Sequence, residues 1–166
     1  MAADFKAFSR NDQGALVAGA VALVLSFFSA YVTVSLDGGD DLPGLSFSEG
    51  TNAWTSYATL GVLLLLVAVA VVAIKAFAAE NLPAGVPWRL VALVAAGLGT
   101  LLLVLRAFTY GGDVPSIVSD SVDVGPGWSG WLLFVAAIAL TVFTALAFRD
   151  SGEKVPEIKR DQPPAA

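Results

Sequence analysis

Four long apolar segments dominate the chain, and short polar connections separate them. They cover residues 14–36, 57–78, 88–110 and 128–148. Each reaches the length of about 20 residues that an α-helix needs to cross the hydrocarbon layer of a membrane. Each is apolar around its whole circumference, unlike the one-sided pattern of a helix on the surface of a soluble protein. Because the segments also lack the alternation of membrane β-barrel strands, the pattern predicts four transmembrane helices.

The composition supports this prediction. Of the 166 residues, 57% are hydrophobic and only 14% are charged, whereas a soluble domain is nearer half apolar and a quarter charged. A soluble domain of this size could not hide the apolar surplus. We therefore predict an all-α fold, an integral membrane four-helix bundle, in which residues 14–148 form the transmembrane domain. Residues 1–13 form a cytoplasmic N-terminus and residues 149–166 a mobile cytoplasmic tail.

Positive charges lie almost entirely on one side of the predicted bundle. That side carries Lys6, Arg10, Lys75, Arg89, Arg149, Lys154, Lys159 and Arg160. The ninth cation, Arg106, lies within the third span. The connections at the other side, residues 37–53 and 111–127, contain carboxylates but no Lys or Arg. Because Lys and Arg accumulate on the cytoplasmic side, we expect a plasma-membrane protein with both termini in the cytoplasm and two acidic outer loops.

Arg106 is the strongest candidate for a binding residue. It lies about one turn inside the outer end of the third span, where a charge is costly, by about 2.5–3.5 kcal/mol at mid-bilayer. Its planar guanidinium suits the oxygens of a lipid phosphate or of an acidic group on a partner helix. The alternative is a side chain that extends to the outer headgroups and pairs with Asp113 or another loop carboxylate.

Small residues recur at helical spacing along three of the spans. They are Ala18, Ala22, Ser26 and Ala30 in the first, Ala92, Ala96 and Thr100 in the third, and Ala137, Thr141 and Ala145 in the fourth. Such stripes let helix backbones approach closely. They serve either packing within one bundle or a face for a partner helix or a second copy. Four tryptophans, Trp54, Trp88, Trp128 and Trp131, are predicted anchors at the membrane interfaces.

Several classes of function find no support in the sequence. The chain has no Cys and no His, which excludes disulfides, thiolate metal sites and histidine relays. No nucleophile lies beside a base, and no basic patch suits nucleic acid. The carboxylates of Asp37-Gly-Gly-Asp-Asp41 do not match a calcium loop in spacing. We predict no catalytic residue, metal or cofactor, and an enzyme using a metal held by these aspartates is the weakest alternative.

Several segments together resemble an uncharacterised family of small four-span membrane proteins from high-GC Gram-positive bacteria. They are Phe8-Ser-Arg-Asn-Asp12 ahead of the first span, Asn52-Ala-Trp54 at the start of the second, the Leu82-Pro83 turn and the Gly-rich start of the fourth. The resemblance covers most of the chain and implies the same four-span architecture. It implies no activity and no binding residues.

The leading hypothesis is a non-enzymatic structural or accessory membrane protein that assembles laterally with partner subunits or with itself. The alternative is a module that binds or transports a lipid or small solute and uses Arg106 as an anchor. Membrane lipids and another membrane subunit are the expected partners. The sequence leaves open the identity of a partner, the oligomeric state and whether the outer loops fold together.

Overall fold

The computed structural model describes residues 8–37, 46–110 and 122–155, which form a helical bundle with a small sheet at one end. In chain order the elements are α1 (Arg10–Leu25), β1 (Val32–Asp37), β2 (Ser46–Thr51), α2 (Ala58–Phe77), α3 (Trp88–Thr109), β3 (Val122–Pro126) and α4 (Trp128–Ser151). A 3₁₀ turn, Ala79–Asn81, lies between α2 and α3. Below, the "sheet end" is the end of the bundle that carries the strands, and the "terminal end" is the opposite one.

Three helices, α2, α3 and α4, are long and apolar enough to cross a membrane. Their bounds lie within three residues of the spans predicted from the sequence. The prediction of a mostly helical chain is therefore confirmed, and three of the four predicted spans are helices of the required length and apolarity. Helix α4 extends beyond its predicted end to Ser151 and stops at Gly152, whose left-handed φ of 68° suits glycine at a helix C-terminus.

The first predicted span differs from the structure. Helix α1 has 16 residues and ends at Leu25, so the helix predicted for residues 26–36 is wrong. Residues 32–37 instead form β1, whose backbone bonds to β2 on one side and β3 on the other. Alternating β-branched and polar residues favour this strand over a helix. Helix α1 also begins earlier than predicted, because the Ser9 hydroxyl accepts a hydrogen bond from the backbone N–H of Asp12 at 3.1 Å.

The strands form a three-stranded antiparallel sheet in the order β2-β1-β3. An all-α fold does not include this sheet, so that part of the fold prediction is corrected. Side chains alternate between the faces of a strand. The register places Val32, Val34, Glu49, Thr51 and Val124 on the face toward the helices, and Thr33, Ser35, Ser48 and Asp123 on the other. The sheet thus joins the two acidic connections into one layer with a polar outer face.

The four helices pack in a ring, because α1 contacts α2 and α4, and α3 contacts the same two helices. Most residues of the predicted small-residue stripes are buried in this bundle, namely Ala18, Ala22, Ser26, Ala92, Ala96 and Ala137. The others are half-buried, namely Ala30, Thr100, Thr141 and Ala145. Large apolar side chains face outward instead, among them Val17, Leu63, Leu101 and Val135. The buried residues of the stripes therefore pack within the chain, and the outward surface suits lipid.

A close backbone contact joins the sheet to α4. A Cβ atom at Gly130 would lie 2.2 Å from the carbonyl oxygen of Tyr31, and one at Gly127 would lie 2.3 Å from that of Ala30. The N–H of Gly127 donates to the Tyr31 carbonyl at 3.1 Å, and the N–H of Gly130 donates to the Ala30 carbonyl at 3.3 Å. The Gly-rich start of α4 is explained by this approach, since any side chain would push the turn before β1 away.

Candidate functional site

Arg106 lies in the last turn of α3 at the sheet end, where two aromatic rings hold its guanidinium. Its Cζ atom lies 4.5 Å from the ring centroid of Tyr110 and 5.6 Å from that of Tyr57. A cation over such a ring is attracted by the negative π-face. The C-terminal end of a helix also favours a positive charge. Both effects stabilise a charged Arg106 at this depth of the bundle.

The two tyrosines are themselves positioned by α3 and by the start of α2. The hydroxyl of Tyr57 lies 2.5 Å from the hydroxyl of Thr109. The Thr109 hydroxyl also donates a hydrogen bond to the carbonyl of Leu105, one turn earlier in α3. Tyr110 directly follows α3, so its ring lies next to the side chain four residues earlier, that of Arg106. The cluster Arg106, Tyr57, Thr109 and Tyr110, called the arginine–tyrosine cluster below, therefore spans the α2–α3 pair.

A cleft of about 390 Å³ adjoins this cluster. Tyr110 forms one wall, and the sheet forms the other with Val32, Val34, Glu49 and Thr51 of its inward face and with Gly50 between the last two. The register explains this lining, because Val32 lies opposite Thr51 and Val34 opposite Glu49. The volume lies within the range of about 300–1,000 Å³ that is typical of small-molecule sites. The cleft therefore combines an apolar floor, a tyrosine wall and one carboxylate, that of Glu49.

Several of the loop carboxylates considered as partners for Arg106 belong to segments that the structure does not describe. Asp113 lies outside the described residues, as do Asp40, Asp41 and Asp120. Arg106 was interpreted either as an anchor for a lipid headgroup or partner helix, or as a side chain that pairs with a loop carboxylate. Both interpretations stay predictions. Guanidinium has five N–H donors, so it can serve more than one acceptor at a time.

The four predicted tryptophan anchors lie at both ends of the bundle. Trp54, Trp128 and Trp131 are at the sheet end, and the last two are more than half exposed. Trp54 is half-buried, stacks on Phe27 with ring centroids 5.3 Å apart, and donates from Nε1 to the Ser26 hydroxyl at 3.1 Å. Trp88 lies at the terminal end and donates from Nε1 to the Pro83 carbonyl at 3.1 Å. Trp54 thus supports the turn after α1 in addition to any role at an interface.

A cluster of ion pairs at the terminal end ties the helix ends together. Arg89 of α3 binds both carboxylate oxygens of Asp12 in α1, with one distance of 3.0 Å. Lys75 of α2 pairs with Glu153 at 2.5 Å, and the other oxygen of Glu153 accepts the backbone N–H of Arg89 at 2.9 Å. From the sequence, these cations were used only to predict which end of the bundle is cytoplasmic. Their pairing with Asp12 and Glu153 was not predicted. The available signal was the presence of opposite charges at helix ends on the same predicted side.

The two carboxylates of this ionic cluster have lowered pKa values. Burial alone would raise the pKa of Asp12, but hydrogen bonds from Arg89 and Ser9 outweigh it and bring that pKa below its usual value. Burial also acts to raise the pKa of Glu153, and the contacts with Lys75 and the Arg89 backbone again outweigh it. Both groups stand outside the apolar part of the helices. Their interactions therefore favour the ionised form that pairs with Arg89 and Lys75.

A lateral groove of about 320 Å³ runs between α3 and α4 in the middle of the bundle. Its lining is Gly97, Thr100, Leu101, Val104, Ile138, Thr141 and Val142. The Thr100 hydroxyl donates to the Ala96 carbonyl at 2.8 Å and lies 3.1 Å from the Thr141 hydroxyl. The groove lies on the side of α3 that packs against α4. Arg106 contacts Tyr57, which directly precedes α2. The groove and the arginine–tyrosine cluster therefore lie on different faces of α3.

Within the described ranges, no group of three or more Asp, Glu, His or Cys side chains is arranged to hold a metal ion. No protein-family model, curated protein or solved structure matches the chain. Any role of the arginine–tyrosine cluster and its cleft must therefore be inferred from their geometry alone. That geometry combines a cation able to hold oxyanions with a pocket of ligand size.

Proposed function

We propose that this chain is a non-enzymatic membrane protein that binds an anionic oxygen group of a lipid or small solute at its sheet end. Arg106 is the anchor in this proposal. The observation that carries it is the guanidinium close to the rings of Tyr57 and Tyr110, beside a cleft of about 390 Å³. The rings attract the positive charge of the guanidinium, whereas oxyanions bind to its N–H groups, of which it has five. Aromatic contact and oxyanion binding are therefore compatible.

The proposal includes a fourth crossing of the membrane by α1 and the turn that follows it. Helix α1 lies beside α4, one of the apolar helices of spanning length. A Cβ atom at Gly14 would meet the Phe143 ring, and further along Gly19 approaches Leu140. Tyr31 then reaches the start of α4 at Gly130. Because α1 and its turn follow α4 over most of its length, a membrane crossed by α4 would also enclose α1.

The proposed orientation places the sheet end outside the cell and both termini in the cytoplasm of a plasma membrane. It rests on the positive charges, since Lys75, Arg89 and Arg149 all lie at the terminal end and Lys and Arg favour the cytoplasmic side. Arg106 would then lie near the outer headgroups. At that level a phosphate is within reach of a side chain from the last turn of a helix.

The experiment is lipid binding by the full chain purified in mild detergent, measured by native mass spectrometry with added phosphatidylglycerol. The wild-type chain should retain the phospholipid, and Arg106→Leu should weaken retention about tenfold or more, as expected for loss of a charge-assisted hydrogen bond. Arg106→Lys keeps the charge without the planar fork and should lose part of the effect. Arg149→Leu is the matched control, because Arg149 is an exposed arginine at the terminal end. Equal retention by Arg106→Leu and wild type would contradict the proposal.

Lateral assembly as an accessory subunit is a second candidate, and the α3–α4 groove favours it. Ala22 and Ala96 are completely buried inside the bundle, so a partner helix or second copy would need another face. The groove presents Gly97, where the nearest described atom to an added Cβ is 4.0 Å away, on the Thr141 side chain. A leucine there would fill the groove and leave the bundle intact.

Co-purification with a differently tagged copy or with native membrane subunits tests this candidate. Gly97→Leu should abolish the association if the groove is the interface. Leu98→Phe, at an exposed neighbouring position of the same helix, is the matched control and should leave it unchanged. Association that survives Gly97→Leu would exclude the groove as the assembly face.

A further inference from the structure

Glu49 brings a negative charge to the pocket that adjoins Arg106. It lies on β2 opposite Val34, and together with Tyr110 it lines the cleft. Tyr110 belongs to both parts of the site, since its ring also lies 4.5 Å from the Arg106 guanidinium. One tyrosine thus contacts the cation and lines the cleft that the carboxylate also lines. This arrangement is suited to a ligand that carries both charges.

The charge of the sheet also disfavours a ligand that carries only negative charge. The three strands contain Asp37, Glu49 and Asp123, and no Lys or Arg. A surface field of one sign lowers the local concentration of ligands of the same sign. An ammonium group on the ligand reduces this repulsion, and the same molecule can still present an oxyanion to Arg106.

We infer that the cleft and Arg106 together bind a zwitterion, with its phosphate or carboxylate at Arg106 and its ammonium group against Glu49 and Tyr110. The inference rests on the proposed function and names its substrate class. The tyrosine ring and the carboxylate both favour an ammonium ion. The apolar floor of Val32 and Val34 accommodates the short methylene linker that separates the charges of such a molecule.

Isothermal titration calorimetry of the full chain in detergent tests the ammonium subsite with phosphoethanolamine and inorganic phosphate as probes. Wild type should bind phosphoethanolamine about tenfold more tightly than phosphate, as one additional charge-assisted contact implies. Glu49→Gln should remove that preference without weakening phosphate binding, since it takes away only a negative charge near the cleft. Asp123→Asn is the matched control, because Asp123 is an exposed carboxylate on the opposite face of the sheet.

The variants separate failure of the inference from failure of the proposed function. If Arg106→Leu loses both probes and Glu49→Gln retains the preference for phosphoethanolamine, the ammonium subsite is wrong and oxyanion binding stands. If Arg106→Leu binds both probes as wild type does, the proposed function itself is wrong. Equal binding of both probes by wild type would also contradict the inference that the ligand is a zwitterion.

Titration with short-chain phospholipids in the same experiment distinguishes a lipid headgroup from a soluble zwitterion. Short-chain phosphatidylethanolamine and phosphatidylglycerol carry the phosphate on a lipid, and only the first adds an ammonium group. Preference for phosphatidylethanolamine over free phosphoethanolamine identifies a lipid headgroup, and the reverse order identifies a soluble zwitterion. Either order supports the inference if Glu49→Gln abolishes the preference for the ammonium-bearing probe.

Discussion

Two arginines of the same helix face different surroundings at the two ends of the bundle. At the terminal end, Arg89 is held by the Asp12 carboxylate through two nitrogens, and its backbone N–H is capped by Glu153. At the sheet end, Arg106 lies against the rings of Tyr57 and Tyr110. The Arg89 guanidinium thus pairs with a carboxylate, whereas the Arg106 guanidinium lies over aromatic rings.

The contrast indicates different roles for the two cations. A carboxylate in bidentate contact occupies the N–H donors that would otherwise hold a ligand. Arg89 is thereby a structural residue that joins α1 to α3. Arg106 lies instead beside two aromatic rings, at the end of α3 that adjoins the cleft, and a guanidinium has five N–H donors that can serve more than one acceptor. Arg106 is therefore the cation of α3 whose surroundings include a cleft of ligand size.

The largest expected effect is the loss of stability when Arg89 is replaced. Arg89→Leu leaves Asp12, which is only 6% exposed, without its cationic partner. Removing one member of a largely buried pair costs about 3–5 kcal/mol, and partial exposure reduces this to roughly 2–4 kcal/mol here. Thermal unfolding in detergent, followed by circular dichroism, measures the change.

Thermal unfolding of Arg106→Leu tests the contrast between the two arginines directly. The substitution should cost about 1 kcal/mol, the usual worth of an interfacial cation–π contact. The double variant Asp12→Asn/Arg89→Leu should be more stable than Arg89→Leu alone, since it removes the buried carboxylate together with its partner. A loss on Arg106→Leu as large as that on Arg89→Leu would erase the distinction between the two ends.

A second effect concerns the connection between the sheet and α4. Gly130→Ala places a methyl group 2.2 Å from the Tyr31 carbonyl oxygen and should destabilise the sheet end by about 1–3 kcal/mol. Gly125→Ala is the control on β3, since no atom of the described residues lies within 4 Å of the methyl group that it adds. Amide hydrogen exchange of β1 should accelerate in the first variant alone. Unaltered exchange in Gly130→Ala would show that the close contact is absent.

The smallest effect expected is the pH dependence of the ionic cluster. The pKa values of Asp12 and Glu153 lie below their ordinary values of 3.8 and 4.5, so the unfolded chain binds these protons more tightly than the folded chain. The stabilisation is complete above those ordinary values and is lost as the pH falls through them toward the lowered ones. Unfolding midpoints between pH 7 and pH 3 should decline below about pH 5. Glu153→Gln should make that decline shallower, and an unchanged slope would exclude a contribution from Glu153.

The sequence contained enough information to predict α2, α3 and α4, because each is a single apolar run of spanning length. The sheet was not predictable in the same way. Val32–Asp37 is separated from the apolar residues of α1 only by the turn at residues 26–31, so hydropathy merges a helix, a turn and a strand into one span. A strand is stabilised by partners distant in sequence, and residues 46–51 and 122–126 do not reveal that pairing locally.

The candidate site was also only partly predictable. Arg106 was conspicuous as a charge within an apolar helix, but Tyr57 precedes it by many residues, and its contact depends on how α2 packs on α3. Glu49 was merely one carboxylate among several until the strand register placed it on the inward face of the sheet. The pairing of Asp12 with Arg89 likewise follows from tertiary packing, because only the folded bundle brings these two helix ends together.

Single-cysteine labelling of intact cells tests most directly whether the sheet end, and with it the Arg106 site, faces the outside. The chain has no cysteine of its own, so Ser48→Cys on the exposed face of the sheet and Ser151→Cys at the terminal end each report one position. A membrane-impermeant maleimide should label Ser48→Cys on intact cells and Ser151→Cys only after permeabilisation. Labelling of Ser151→Cys on intact cells with protection of Ser48→Cys would contradict the orientation on which binding at an outer surface depends.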